Sequence, residues 1–167
     1  MAHIEKNGYA QLELNNAAFR RSGRIEAQCK IADGIEYLEN GMLVAVDNAA
    51  REVKFVGEGT EHLPVALHYS SEHMYDNRAN ALKDFCLKPG SFLPRLGYLG
   101  AGDKYTTNCV DYEGDLWTAI SNGTILYAHA GEDGYHLVNT TATGAIALVI
   151  GATTMPDGQK AVKFQAL

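Results

Sequence analysis

The amino-acid sequence predicts a mainly β protein, an antiparallel sandwich or barrel with one short helix near residues 72–87. Three observations lead to that class. Apolar and polar residues alternate in run after run at the two-residue period of half-buried strands, and Gly, Asn, Asp and Pro interrupt the runs at short intervals. One segment alone, between residues 70 and 90, carries apolar side chains at helical spacing.

Taken in order, Tyr9 to Leu14 alternates as Tyr-Ala-Gln-Leu-Glu-Leu, and Ile25 to Ile31 places Ile25, Ala27, Cys29 and Ile31 on one face before the turn Asp33-Gly34. Met42 to Val46 is apolar throughout, as in a strand covered on both faces, and Val53, Phe55 and Val56 continue beyond the loop at Asp47 to Arg51. Leu63 to Tyr69 is a further strand, with Pro64 near its start where a missing donor costs least. Tyr75, Ala79, Leu82 and Cys86 recur at helical spacing between the caps Ser70 or Ser71 and the stop Pro89-Gly90. The Gly- and Pro-rich stretch from Gly90 to Gly102 crosses to another part of the sheet system. Strands then resume at Lys104 to Tyr112, Leu116 to Ile120, Thr124 to Ala128, Tyr135 to Val138, Ala145 to Ile150 and Ala161 to Gln165.

Residues 1–24 read as an N-terminal arm or, equally, as an edge strand and surface loop; residues 25–167 form the body. Asn40-Gly41 with the following Met-Leu-Val-Ala-Val overlays Asn122-Gly123 with Thr-Ile-Leu-Tyr-Ala, and the match runs on to Val56 and Val138. Two related β units, 25–70 and 104–167, joined by the helix and the Gly/Pro-rich linker, would account for this echo, as would two ordinary hairpins.

With 167 residues the chain can bury a core without a metal or disulfide staple. Cys29, Cys86 and Cys109 are odd in number and widely spaced, the pattern of plain thiols in a reducing compartment. The segment Met1 to Gly8 has no apolar h-region and no later run approaches a membrane span, so neither secretion nor a membrane partner is expected. A net charge of −6 argues against nucleic acid as a partner, since a backbone-binding surface must be basic. Arg20, Arg21 and Arg24 form the one basic cluster and are candidates for a protein partner.

No assembled catalytic, cofactor or metal site is expected. His68-Tyr-Ser-Ser-Glu72-His73 approximates an inverted zincin motif but has one residue too many. Glu61-His62 and Glu72-His73 each offer one ligand at most, because neighbours on a strand point to opposite faces. Gly97 to Lys104 resembles the start of a phosphate-binding loop, yet Asp103 stands before Lys104, where a carboxylate would repel phosphate. Asp111, Glu113 and Asp115 around Gly114 read as turn chemistry ahead of a calcium or glycoside-cleaving site. Of the aromatic residues, Tyr112, Trp117 and Tyr127 could pack a strand face or, alternatively, stack on sugar rings.

Four phrases, Glu39-Asn-Gly-Met-Leu-Val-Ala-Val-Asp47, Asp84-Phe-Cys-Leu-Lys-Pro-Gly90, Pro94-Arg-Leu-Gly-Tyr-Leu-Gly100 and Gly102-Asp-Lys-Tyr-Thr-Thr-Asn108, resemble small structural proteins of tailed bacteriophages, the capsid decoration and cement proteins. The resemblance covers roughly residues 25 to 125 in style. It implies a non-enzymatic virion protein, made in the host cytoplasm, that binds the major capsid protein or another virion protein, often as a homo-oligomer. Many weak contacts repeated on a lattice would supply its affinity. The alternatives are a carbohydrate- or receptor-binding module of a phage appendage and a small enzyme.

Overall fold

The computed structural model describes residues 9–70 and 85–167. In chain order the elements are β1 (Leu12–Glu13), α1 (Phe19–Ser22), β2 (Ile25–Glu26), β3 (Lys30–Ile31), β4 (Leu43–Asp47), β5 (Glu52–Lys54), β6 (Val65–His68), β7 (Leu96–Gly97), β8 (Lys104–Thr107), β9 (Val110–Tyr112), α2 (Leu116–Ser121), β10 (Tyr127–Ala130), β11 (His136–Asn139), β12 (Ala147–Thr154) and β13 (Lys160–Ala166). They form a seven-stranded sheet, β1-β8-β13-β12-β10-β11-β9, and a six-stranded sheet, β2-β7-β6-β4-β5-β3. The arrangement is an open sandwich of two mixed sheets, with one parallel pair in each, β9 with β11 and β3 with β5.

The two sheets repeat one topology. Replacing β2 through β7 by β8 through β13, in order, converts the smaller sheet into the larger one without β1, and every neighbouring pair keeps its orientation. The segments 40–56 and 122–138 that echo each other carry the hairpins β4–β5 and β10–β11, which hold equivalent places.

Alternation sorts the side chains. In the larger sheet Tyr105, Val110, Leu126, Ala128, Val138, Ala147, Val162 and Phe164 point inward, meeting Leu43 and Leu67 of the smaller sheet and Phe19 of α1 in one core. The opposite face of the smaller sheet, with Ile31, Val44, Val46, Val53, Ala66 and Leu96, packs with Cys29, Ile35, Leu38, Phe85 and Leu87 in a second core. Fully burying one large aliphatic or aromatic side chain contributes roughly 2–3 kcal/mol, so these cores dominate the stabilising side of the balance. Close approach fixes Gly97: a Cβ there would stand 2.3 Å from the Phe19 ring.

Three expected elements differ from those observed. Leu116 to Ile120 is helix α2, because Asp115 accepts hydrogen bonds from the Thr118 N–H (3.1 Å) and hydroxyl (2.7 Å) and caps the helix; a short apolar run fits either period. Lys104 to Tyr112 is broken at Asn108, whose side chain accepts from Gln11 N–H and donates to the Tyr9 carbonyl and Gln159 Oε1, so that β8 and β9 lie toward opposite edges of one sheet. Ile25 to Ile31 divides in the same way into β2 and β3, where the Glu26 carboxylate accepts from Gln28 N–H. The helix expected over 72–87 falls mostly outside the described residues; within 85–87, Leu87 pairs with Leu38 as an antiparallel bridge. Residues 9–24, from the stretch read as arm or edge strand, add β1 to β8 and bury Phe19.

Candidate functional site

The two buried histidines share one wiring. Backbone carbonyls only accept, so His68 Nδ1–H donates to Glu39 C=O (2.8 Å) and its Nε2 accepts from the Ser70 hydroxyl (2.8 Å), whose oxygen accepts from Arg95 N–H (2.9 Å). His136 Nδ1–H donates to Cys109 C=O (2.9 Å), and Nε2 accepts from the Tyr105 hydroxyl (3.0 Å). Burial lowers both pKa values to about 4, so both rings are neutral core members. His136 also stacks on Phe164, with ring centroids 4.8 Å apart. The signal was present in the sequence: His68 follows Ala66 at strand spacing and His136 precedes Val138 likewise, which places each ring on a buried face.

Among the described residues no three His, Cys, Asp or Glu side chains gather as metal ligands. Glu72 and His73 of the zincin-like run lie outside the described residues, while Glu61 and His62 are exposed. In the glycine-rich loop, Asp103 accepts from Gly100 N–H (2.9 Å) and pairs with Arg24 at 2.7 Å. A Cβ at Gly100 would meet the Arg24 guanidinium at 2.7 Å, so Gly97 and Gly100 serve the Phe19 ring and the Arg24 head. In the acidic run, Asp115 is the cap of α2, which hydrogen bonds from Thr118 hold below the ordinary carboxylate range, whereas Asp111 is buried on β9.

Arg24 lies outside α1, the helix that carries Arg20 and Arg21. Arg24 is engaged by Asp103 and by the Tyr98 carbonyl, and Arg21 is exposed on α1. Arg20 shares that helix, its side chain falling outside the description. The three aromatic candidates are likewise dispersed. Tyr112 pairs with Val138 on the inward face, Trp117 sits on α2 with Lys160 Nζ 5.3 Å from its ring centroid, and Tyr127 alternates with inward Ala128 and so points outward. Tyr112 and Tyr127 therefore lie on opposite sides of one sheet and do not build a single stacking platform.

The outward face of the larger sheet is the feature that sequence reasoning missed. Along β10–β12, Tyr127 lies opposite Leu148, and Ile125, two residues before Tyr127, is 65% exposed. Leu137 lies opposite His129 beside them. Ile150, at the bulge between Val149 and Gly151, is also exposed. At one corner stand exposed Lys104 and Lys163, with Glu13 beyond them on β1. At the diagonal corner Leu137 and Asp111 floor a cleft of about 750 Å3 rimmed by Glu58, Glu61, Glu132 and Asp133. A second exposed apolar point lies on the loop before β7, where Phe92 is 59% and Leu93 46% exposed. No helix among the described residues is long and apolar enough to cross a membrane.

No protein-family model, no curated protein and no solved structure matches this chain.

Proposed function

We propose that the chain is a non-enzymatic structural subunit of a virion, a capsid decoration or head-associated protein that binds the major capsid protein, is made in the host cytoplasm and is carried on the particle. The observation that supports this reading most is the presence of two separate exposed apolar surfaces on one sandwich, the Ile125–Tyr127–Leu148 sheet face and the Phe92–Leu93 loop. A subunit with two contact surfaces can join one neighbour to another, as a shell component must, and repetition over a lattice turns weak contacts into stable attachment. The acidic balance of the chain, −6, suits the outside of a shell better than its DNA-facing side.

The test is co-sedimentation of the purified chain with empty shells assembled from tailed-phage major capsid proteins. The expected result is saturable binding at a fixed ratio to capsid subunits, weakened when Phe92 and Leu93 are both replaced by Ser. Absence of the chain from the shell pellet at saturating concentration would sink the proposal.

A further inference from the structure

We infer that the outward face of the seven-stranded sheet is a self-association surface whose occupant is a second copy of this chain, packed face to face about a two-fold axis. The inference stands apart from the capsid reading and needs only the geometry of the face.

Charge complementarity selects the occupant. On this face Tyr127 and Leu148 are direct cross-strand partners at the centre. Lys163 lies opposite Thr106, on the side of that level toward Gly151; the 131–135 turn that carries Glu132 lies at the far end of β10. The lysine corner and the acidic corner are thus diagonally opposed, separated by the apolar centre. A two-fold axis lying in the interface, passing between Tyr127 and Leu148 and perpendicular to the line joining the two corners, sets the lysine corner of each copy over the acidic cleft of the other. The apolar centre then packs on itself. Such an isologous contact makes both charged pairings at once, and a steep crossing of the two sheets is one of the ordinary modes of sheet-on-sheet packing.

Size and precedent within the molecule agree. Seven strands at about 4.8 Å spacing give a face roughly 29 Å wide, and strands of this length give a footprint of several hundred Å2 per copy, within reach of the ~800 Å2 per partner of a stable interface. In the equivalent hairpin of the smaller sheet Leu43 and Ala45 hold the places of Ile125 and Tyr127, and both are fully buried. The chain covers one of its two equivalent faces itself and leaves the other to a partner.

The experiment is sedimentation equilibrium of the full chain over a concentration series at low and high salt. A dimer is expected that weakens as salt rises, because the corner pairings are exposed and screened. Ile125→Lys, Lys163→Glu and Glu132→Lys, all at exposed positions, should each raise the dissociation constant roughly tenfold or more, with the thermal midpoint of the monomer retained. The double variant Lys163→Glu/Glu132→Lys exchanges one facing pair of charges and should recover part of the lost dimerisation, a result that mere damage to the fold could not produce. A monomer at every concentration overturns the inference, as does an oligomer whose mass none of these substitutions changes. A monomer that nonetheless binds capsid shells through Ile125 would assign the face to a different partner and overturn it equally.

Discussion

The Leu43 N–H donates to the Gly134 carbonyl across 2.7 Å, tying the central strand of the smaller sheet to the β10–β11 hairpin of the larger one. Gly134 can make this contact because it has no side chain: its φ is +84°, and a Cβ there would lie 2.6 Å from the Phe55 ring. Gly134→Ala should therefore cost about 2–4 kcal/mol, summing backbone strain and a displaced ring. Gly144→Ala, at φ +77° with open space around it, should cost only the backbone part, about 1 kcal/mol. Urea unfolding of the two variants checks the difference, and equal losses would show that the Phe55 contact carries no weight.

Acid should weaken the fold in two separate windows. His68 and His136 are neutral in the core with pKa values of about 4, below the ordinary 6.5, so the unfolded chain binds their protons more readily between those limits. Stability from this source is complete above about pH 6.5 and declines as pH falls toward 4, by up to about 3 kcal/mol per ring. Asp157, drawn down to about 2 by the Gln159 side chain first and the Tyr9 hydroxyl next, has the carboxylate pattern: its contribution is full above about 4 and is lost only as pH approaches 2. Urea midpoints at about pH 7.5, 5.5 and 4.5 read the first window. His136→Gln should flatten the slope there by about half, since one of two such rings is gone.

Hydroxyl removal should distinguish the two histidine networks. Tyr105→Phe leaves only His136 Nε2 without its donor, an expected loss of about 1–3 kcal/mol. Ser70→Ala orphans both His68 Nε2 and the Arg95 N–H, so it should cost more despite deleting a smaller group. Denaturation of the two variants side by side decides the order; a milder effect for Ser70→Ala would contradict the wiring.

Thiol labelling should proceed in a fixed sequence. Cys29 and Cys109 are buried, and desolvation raises the Cys29 pKa, whereas Cys86 is partly exposed. One thiol should react promptly with a maleimide in the native protein and two only on unfolding, with Cys86→Ser abolishing the fast phase. A native chain that labels Cys109 as quickly as Cys86 would show that the core opens locally.

Much of the architecture was legible from residue order. The unbroken run Met42 to Val46 announced a strand covered on both faces, and β4 indeed places Val44 in one core and Leu43 in the other. What escaped notice depends on partners distant in sequence. Asn108 ends β8 because its side chain satisfies Gln11, Tyr9 and Gln159, none of which local alternation can reveal. Leu116 to Ile120 was ambiguous between periods until the cap at Asp115 was seen in place. The outward face was hidden for a similar reason: Tyr127 and Leu148 stand 21 positions apart, and only the β10–β12 register makes them neighbours.

Strand β1 has a consequence for the order in which the molecule can be completed. Leu12 has Thr107 as its ladder partner, 95 positions further along the chain, in the sheet that also holds β13. During synthesis the smaller sheet has all its strands once Gly97 has emerged, while Leu12 and Glu13 must wait for β8 to be translated. The N-terminal segment thus acts as a latch that can close only after β8 has emerged, so a product cut short before Lys104 would hold every strand of the smaller sheet and leave its leading strand unpaired.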